Sequence, residues 1–272
     1  MVYYLQITAR GSRKAWERPL SPDSIKIDGG KRMWMRALCL AVNTLKEGFF
    51  MSFSEEMKAR SQEAWEKNIH HPYIEELVAG TLDKEAFKFY IKQDIYYLKH
   101  FGKAHALASA HSDDFKLTVR LAEKAQKTAQ AELTVHEQHA KALDLADFKA
   151  EDFSPAPAAY NYTSHMYRCC LFGDVGEMIA AILPCYWVYA DIGAYYADQH
   201  PAEELYDNWI QTYASDWFQA SKNEMIQIMD NLAAEASDAQ KEKYFDAFHK
   251  AVEFEIAFWS MAYEHEKWYS ER

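Results

Sequence analysis

Residues 245–262 read FDAFHKAVEFEIAFWSMA, and their spacing decides the fold. Phe245, Phe248, Val252, Glu255, Trp259 and Ala262 recur at alternating intervals of three and four, the period of one face of an α-helix. Only Glu255 breaks the apolar seam. A lone carboxylate there loses its hydration, which raises its pKa and makes it a plausible proton donor. The competing reading is a buried ion pair that sets specificity.

The same period extends outward along the chain. Ser52-Phe53-Ser54-Glu55 has capping-box spacing and opens a helix to about Asn68. A short helix from Pro72 stops at Gly80. Asp83 caps a long helix to about His111, with the stripe Phe87, Tyr90, Asp94, Leu98, Phe101. Another runs from about Asp114 to Leu143, with Leu117, Leu121, Ala125, Leu133 and Ala140 inward. After a loop with Pro155 and Pro157, helices follow over about Ala158–Phe172 and Val175–Ala197, then from Pro201, Ser215–Ala234 and Ser237–Tyr269. No stretch shows defensible strand alternation. The expectation is one all-α helical-bundle domain of eight or nine helices.

Two further polar residues fall on apolar faces. Asp94 sits between Tyr90 and Leu98, and if buried it needs a cation or hydrogen-bond donors. Tyr97, three residues on, is placed to share its cavity. A structural role in an ion pair or at a helix dipole is the alternative. Cys185 follows Pro184 in Leu183-Pro184-Cys185-Tyr186-Trp187-Val188-Tyr189. Proline inside a helix removes a backbone bond and bends it, widening the space beside the next residue. A buried free cysteine otherwise serves as a small hydrophobe, the reading kept for Cys169 and Cys170.

Bulk properties exclude some classes. Net charge is −11, which argues against nucleic acid or an anionic membrane as partner. Cys39, Cys169, Cys170 and Cys185 form no CxxC pair, so a reducing cytoplasm is expected. No apolar run is read as long enough to span a membrane, and no signal peptide is evident. Eighteen tyrosines exceed what helix packing needs, so some are expected to line a ligand site. Glu132, His136 and His139 share a helix face, and Asp246 with His249 makes one D-x-x-H, but a di-metal carboxylate site needs a fuller set. No metal ligand is assigned. Walker, GxGxxG, GxSxG and HExxH motifs are absent.

From Met51 onward the chain resembles the TenA/thiaminase II family. The resemblance rests on Lys92-Gln93-Asp94-Ile95-Tyr96-Tyr97-Leu98, Ala159-Tyr160-Asn161-Tyr162-Thr163-Ser164-His165-Met166, Leu183 to Tyr189, and Phe254-Glu255-Ile256-Ala257-Phe258-Trp259. It implies a haem-oxygenase-like all-α fold without haem or other cofactor, and a homotetramer. It implies hydrolysis of 4-amino-5-aminomethyl-2-methylpyrimidine to the 5-hydroxymethyl compound, and of thiamine, in thiamine salvage. The matched positions make Cys185 the nucleophile, Glu255 the acid/base group and Asp94 the hydrogen-bonding partner of the aminopyrimidine. Tyr97, Tyr162, Tyr189, Tyr213 and Phe258 match pocket residues. Two other readings stand beside this one. The first is a haem or di-metal oxygenase using Glu132, His136 and His139. The second is a non-catalytic pyrimidine-binding regulator.

Residues 1–50 have no counterpart in that family. They carry nine Lys/Arg against four Asp/Glu, a charge of +5 that leaves −16 for the remainder. They also hold four of the nine glycines. Lys46-Glu47-Gly48-Phe49-Phe50-Met51 can be encoded by a purine-rich run, a T-rich spacer and ATG, the layout of a bacterial ribosome-binding site and start codon. The expectation is a translated upstream segment before a domain over 51–272. N-terminal sequencing of the natively expressed protein is expected to begin at or just after Met51; a start at Met1 overturns it.

Overall fold

The computed structural model describes residues 51–143, 145 and 153–271, with residues 131–142 described as helical backbone only. The reading of residues 1–50 lies outside the described residues. Residues Ser52–Arg272 cluster as one compact unit. The described residues form α1 (Phe53–Arg60), α2 (Gln62–Ile69), α3 (Pro72–Ala79), α4 (Lys84–His111), α5 (Phe115–Ala142), α6 (Pro157–Phe172), α7 (Val175–Tyr195), α8 (Glu204–Ala214), α9 (Asp216–Glu235), α10 (Asp238–Glu264) and a closing 3-10 turn, Tyr269–Glu271. No strand occurs among the described residues, and the all-α expectation holds.

Helix ends follow local chemistry. Ser52 and Glu55 complete the capping box of α1, and Asp83 caps α4 by accepting from the Glu85 N–H at 3.0 Å. Gly80 closes α3 at φ 72°, where a side chain would strain the backbone. The single helix expected over Ser52–Asn68 is two. The break falls at the buried Ser61 (φ −105°, ψ 12°), whose hydroxyl lies 3.1 Å from His249 Nδ1 on α10. The helix expected from Pro201 starts at Glu204. α10 stops at Glu264, short of Tyr269, because His265 turns left-handed (φ 53°). That turn sends Glu266 back to accept from the Ala158 N–H at 2.9 Å, placing a carboxylate at the start of α6, where the helix dipole favours it.

α7 is the central element, packed against α2, α4, α6, α8, α9 and α10. Contrary to the expectation from sequence, it is long and apolar enough to cross a membrane by length and composition. Its apolar window is 78% buried inside the fold, so the bundle core accounts for it. Gly193 brings α8 close: a Cβ there would sit 2.3 Å from the Tyr213 carbonyl carbon. On α5 the inward face differs from the expected stripe. Leu121, Lys124 and Thr128 are buried, Leu117 and Ala125 are half-buried, and the side chains of Leu133 and Ala140 lie outside the described residues. Lys124 is tolerated inside because Ser221 Oγ (2.6 Å) and Glu224 (2.9 Å) satisfy its ammonium.

Asn68 on α2 fixes the register of α10. Its amide nitrogen donates to Ala64 O (3.0 Å) and Val252 O (3.1 Å), and its oxygen accepts from Trp259 Nε1 (2.9 Å). All three bonds are buried, so leaving their partners unsatisfied costs more than the bonds contribute. Asn68→Ala is expected to lose about 3 kcal/mol of unfolding free energy by urea titration; a loss below about 1 kcal/mol contradicts this role.

Candidate active site

The three polar residues that interrupt apolar helix faces come from three helices and converge. α4 delivers Asp94, 7% exposed, and α10 delivers Glu255, 1% exposed. α7 delivers Cys185 directly after Pro184, which has no N–H to extend the helical ladder. Asp94 raises the Glu255 pKa, and both carboxyls raise that of Cys185.

Glu255 Oε1 accepts from the Tyr162 hydroxyl at 2.6 Å. Its partner among the described residues is a hydroxyl, and no cation among them pairs with it, so they do not form the buried ion pair weighed for this residue. Burial pushes its pKa to about 8, opposed by the Tyr162 bond and assisted by Asp94. Burial alone lifts Asp94 to about 7. Among the described residues Asp94 has no cation or side-chain donor, so the structural ion pair weighed for it is not formed either. The Cys185 thiol is driven well above its ordinary range, first by burial and then by Glu255 and Asp94, with the Tyr97 hydroxyl working the other way. Cys185 keeps some accessible surface. Near neutral pH the site therefore holds a thiol, a protonated Glu255 and an Asp94 poised between its two forms.

Aromatic rings form the walls. Tyr97 lies 4.9 Å from Tyr162 and 5.6 Å from Phe258 between centroids. Tyr189 lies 4.8 Å from Tyr213. Two buried hydroxyls, of Tyr97 and Tyr73, form no hydrogen bond of ordinary geometry, and burial drives both well above their ordinary range, with Cys185, Tyr162 and Glu255 adding to the shift of Tyr97 and Tyr206, Asp94 and Tyr213 to that of Tyr73. Buried hydroxyls without partners are uncommon.

Every residue assigned from sequence, Cys185, Glu255, Asp94, Tyr97, Tyr162, Tyr189, Tyr213 and Phe258, belongs to this one assembly. Three members were not singled out. Tyr90 joins the two ring clusters: its hydroxyl lies 3.3 Å from that of Tyr189, accepts from Trp209 Nε1 at 3.3 Å, and its ring meets Phe258 edge-on at 5.9 Å. Its place one turn before Asp94 was the available signal. Tyr73 and Trp209 carried none, since their neighbours are distant in sequence. The side chains of Glu132, His136 and His139 lie outside the described residues. Asp246 is exposed and paired with Lys250, and His249 contacts Ser61 and Glu253, so this D-x-x-H lies on a helix face. Cys169 and Cys170 are buried, and burial lifts them to about 12 and about 11.

The fold and the assembly together define a helical-bundle protein with a buried, aromatic-walled centre built from a thiol and two carboxyls. The chain belongs to the TENA/THI-4/PQQC family, whose model matches residues 58–265. A relative named aminopyrimidine aminohydrolase, from Bacillus subtilis, is 39% identical over 218 residues, 80% of this chain and 92% of that protein. Among solved structures, a TenA homologue from P. horikoshii superposes with a TM-score of 0.73 at 28% identity, covering 79% of this chain and 99% of that one. A domain with a heme oxygenase-like fold from Shewanella denitrificans shares the fold at a TM-score of 0.58 and 14% identity, over 77% and 91% of the two chains.

The pKa of Glu255 has a consequence for stability. In the unfolded chain it loses its proton near 4.5; in the fold it keeps it to about 8. Across that window the folded state binds the extra proton, so stability falls as pH rises, and the full penalty stands above the folded pKa. Glu255→Gln keeps an acceptor for Tyr162 but does not titrate. Its melting temperature relative to wild type is expected to be higher near pH ~9 than near pH ~5; an equal difference at both contradicts a protonated Glu255.

Proposed function

We propose that this chain hydrolyses thiamine-derived aminopyrimidines, releasing the 5-hydroxymethylpyrimidine and ammonia, and that it cleaves thiamine by the same route. The observation that carries this reading is the gathering of Cys185, Glu255 and Asp94 inside one wall of tyrosines. The Bacillus subtilis relative, an aminopyrimidine aminohydrolase by name, supports the substrate class.

The bond to be broken joins a ring-bound methylene to an amine or thiazolium, and water attacks such a carbon poorly. A sulfur adding to the electron-poor ring gives an easier path. Asp94 accepts hydrogen bonds from the amidine-like edge and orients the ring. Glu255, protonated at neutral pH, gives its proton to a ring nitrogen, and the carboxylate so formed takes the proton of the Cys185 thiol. The C–S bond forms, aromaticity is lost, and the ring electrons expel the leaving group from the methylene, the thiazole as a neutral ring and the amine as ammonia after it takes the proton now on Glu255. Water adds to the exposed methylene carbon and gives its proton to the site, the C–S bond breaks as thiolate leaves, and the ring recovers its aromaticity as its nitrogen proton passes back to the sulfur. The tyrosine faces sandwich the flat ring, and a thiazolium gains cation–π attraction. A purely regulatory binder would need Asp94 and the rings but no thiol between two acids.

Incubation with the aminomethylpyrimidine is expected to release hydroxymethylpyrimidine, with Cys185→Ser lowering kcat by about a thousandfold or more while pyrimidine affinity changes little. Undiminished turnover in that variant rejects the sulfur route, and absence of product from wild type rejects the hydrolase reading.

A further inference from the structure

A groove of about 590 Å³ opens between α6 and α10, with the start of α7 at one end. It does not include Cys185, Glu255 or Asp94. Arg168, Lys243 and Lys250 line it, together with His165, Phe172 and Phe254. Three cations around one groove stand out in a chain of net charge −11. Of the two acids at the groove, Asp246 pairs with Lys250, and Glu177 accepts from the Asp174 N–H at 3.3 Å in the capping box of α7 while keeping its charge, so the three cations leave an excess of one positive charge. Arg168 and Lys243 have no acidic partner among the described residues. Arg168 lies instead over the ring of Phe172, 5.5 Å from its centroid, and Phe172 is 78% exposed.

His165 adds a switchable donor. Its Nε2 lies 2.9 Å from the Ala247 carbonyl; a carbonyl only accepts, so Nε2 carries the proton and Nδ1 is the free nitrogen of the neutral ring. The charges facing His165 are Arg168 and Lys250, which disfavour the imidazolium, and Asp246, which favours it, while burial keeps the ring neutral. An anion in the groove would offset the two cations and allow Nδ1 to protonate and donate. The groove floor also touches the centre described above: Phe254 stacks on Tyr162 at 5.5 Å and 17°, behind the hydroxyl that holds Glu255.

We propose that this groove is a second ligand site for a phosphate monoester of a flat aromatic molecule, with Arg168 and Lys243 taking the phosphate and Phe172 and Phe254 the ring. The volume suits a small ligand, guanidinium and ammonium suit phosphate oxygens, and the aromatic side chains distinguish an ester from free phosphate.

Calorimetric titration of the full chain with phenyl phosphate tests this. Saturable binding is expected, tighter than for inorganic phosphate, and weakened about tenfold or more in Arg168→Ala/Lys243→Ala. Hydroxymethylpyrimidine should not compete. On binding, the His165 imidazole resonance followed by NMR should titrate at higher pH. The two substitutions are on exposed side chains, so the melting temperature should be retained. No saturation, equal binding to the double variant, competition by the pyrimidine, or a change in assembly size showing the groove to be a subunit contact would each overturn the proposal. None of these readouts depends on hydrolysis.

Discussion

The hydrogen bond from Tyr162 to Glu255 is the constraint on which the centre rests. A carboxyl 1% exposed must be either paired with a cation or kept protonated. Burial selects the protonated form here, while the Tyr162 hydroxyl works against it and fixes where the carboxyl points. That placement requires α6 and α10 to meet in one register, and the polar contacts around them serve this end. Asn68 ties α10 to α2 on either side of Glu255, through Val252 and Trp259. Gln93, the neighbour of Asp94 on α4, accepts from the Ala156 N–H at 3.0 Å where α6 begins. Glu266 holds the first turn of the same helix, and Trp268 donates to the Pro155 carbonyl at 2.7 Å. The start of α6 is thus fixed from α4 and from the segment that follows α10.

What could be read in the sequence was what breaks a period. Asp94 and Glu255 each violate an otherwise apolar stripe, and a violation of that kind is visible without knowing what lies opposite. The helices themselves followed from the same three-and-four spacing. Ends set by distant partners could not be read. Ser61 divides the first helix because His249, far along the chain, meets its hydroxyl. Nothing within α10 announces that His265 will adopt a left-handed turn, because the reason, capping of α6 by Glu266, lies in another helix. Lys124 shows the opposite failure. An apolar stripe drawn through Leu121 and Ala125 looked sufficient, yet the buried position is the lysine, made tolerable by Ser221 and Glu224 on α9. Tyr73 and Trp209 escaped notice because one more aromatic residue in a helix carries no mark of the distant side chains it packs against.

The protonation states also form a consistent set. Two carboxylates and a thiolate cannot all be charged in one buried space, because each charge raises the cost of the next. Burial is the first cause of every upward shift here; Asp94 adds to that of Glu255, and both carboxyls add to that of Cys185. The resting centre therefore favours the thiol of Cys185 over the more nucleophilic thiolate. On the proposed route, a guest that accepts a proton would change this balance. A ring nitrogen taking the Glu255 proton would leave a carboxylate beside the thiol, and the cost of that charge would fall as the thiol proton moved onto it. That route would tie reactivity to occupancy by a basic, flat heterocycle, through the same desolvation that makes two of these residues stand out in an apolar seam.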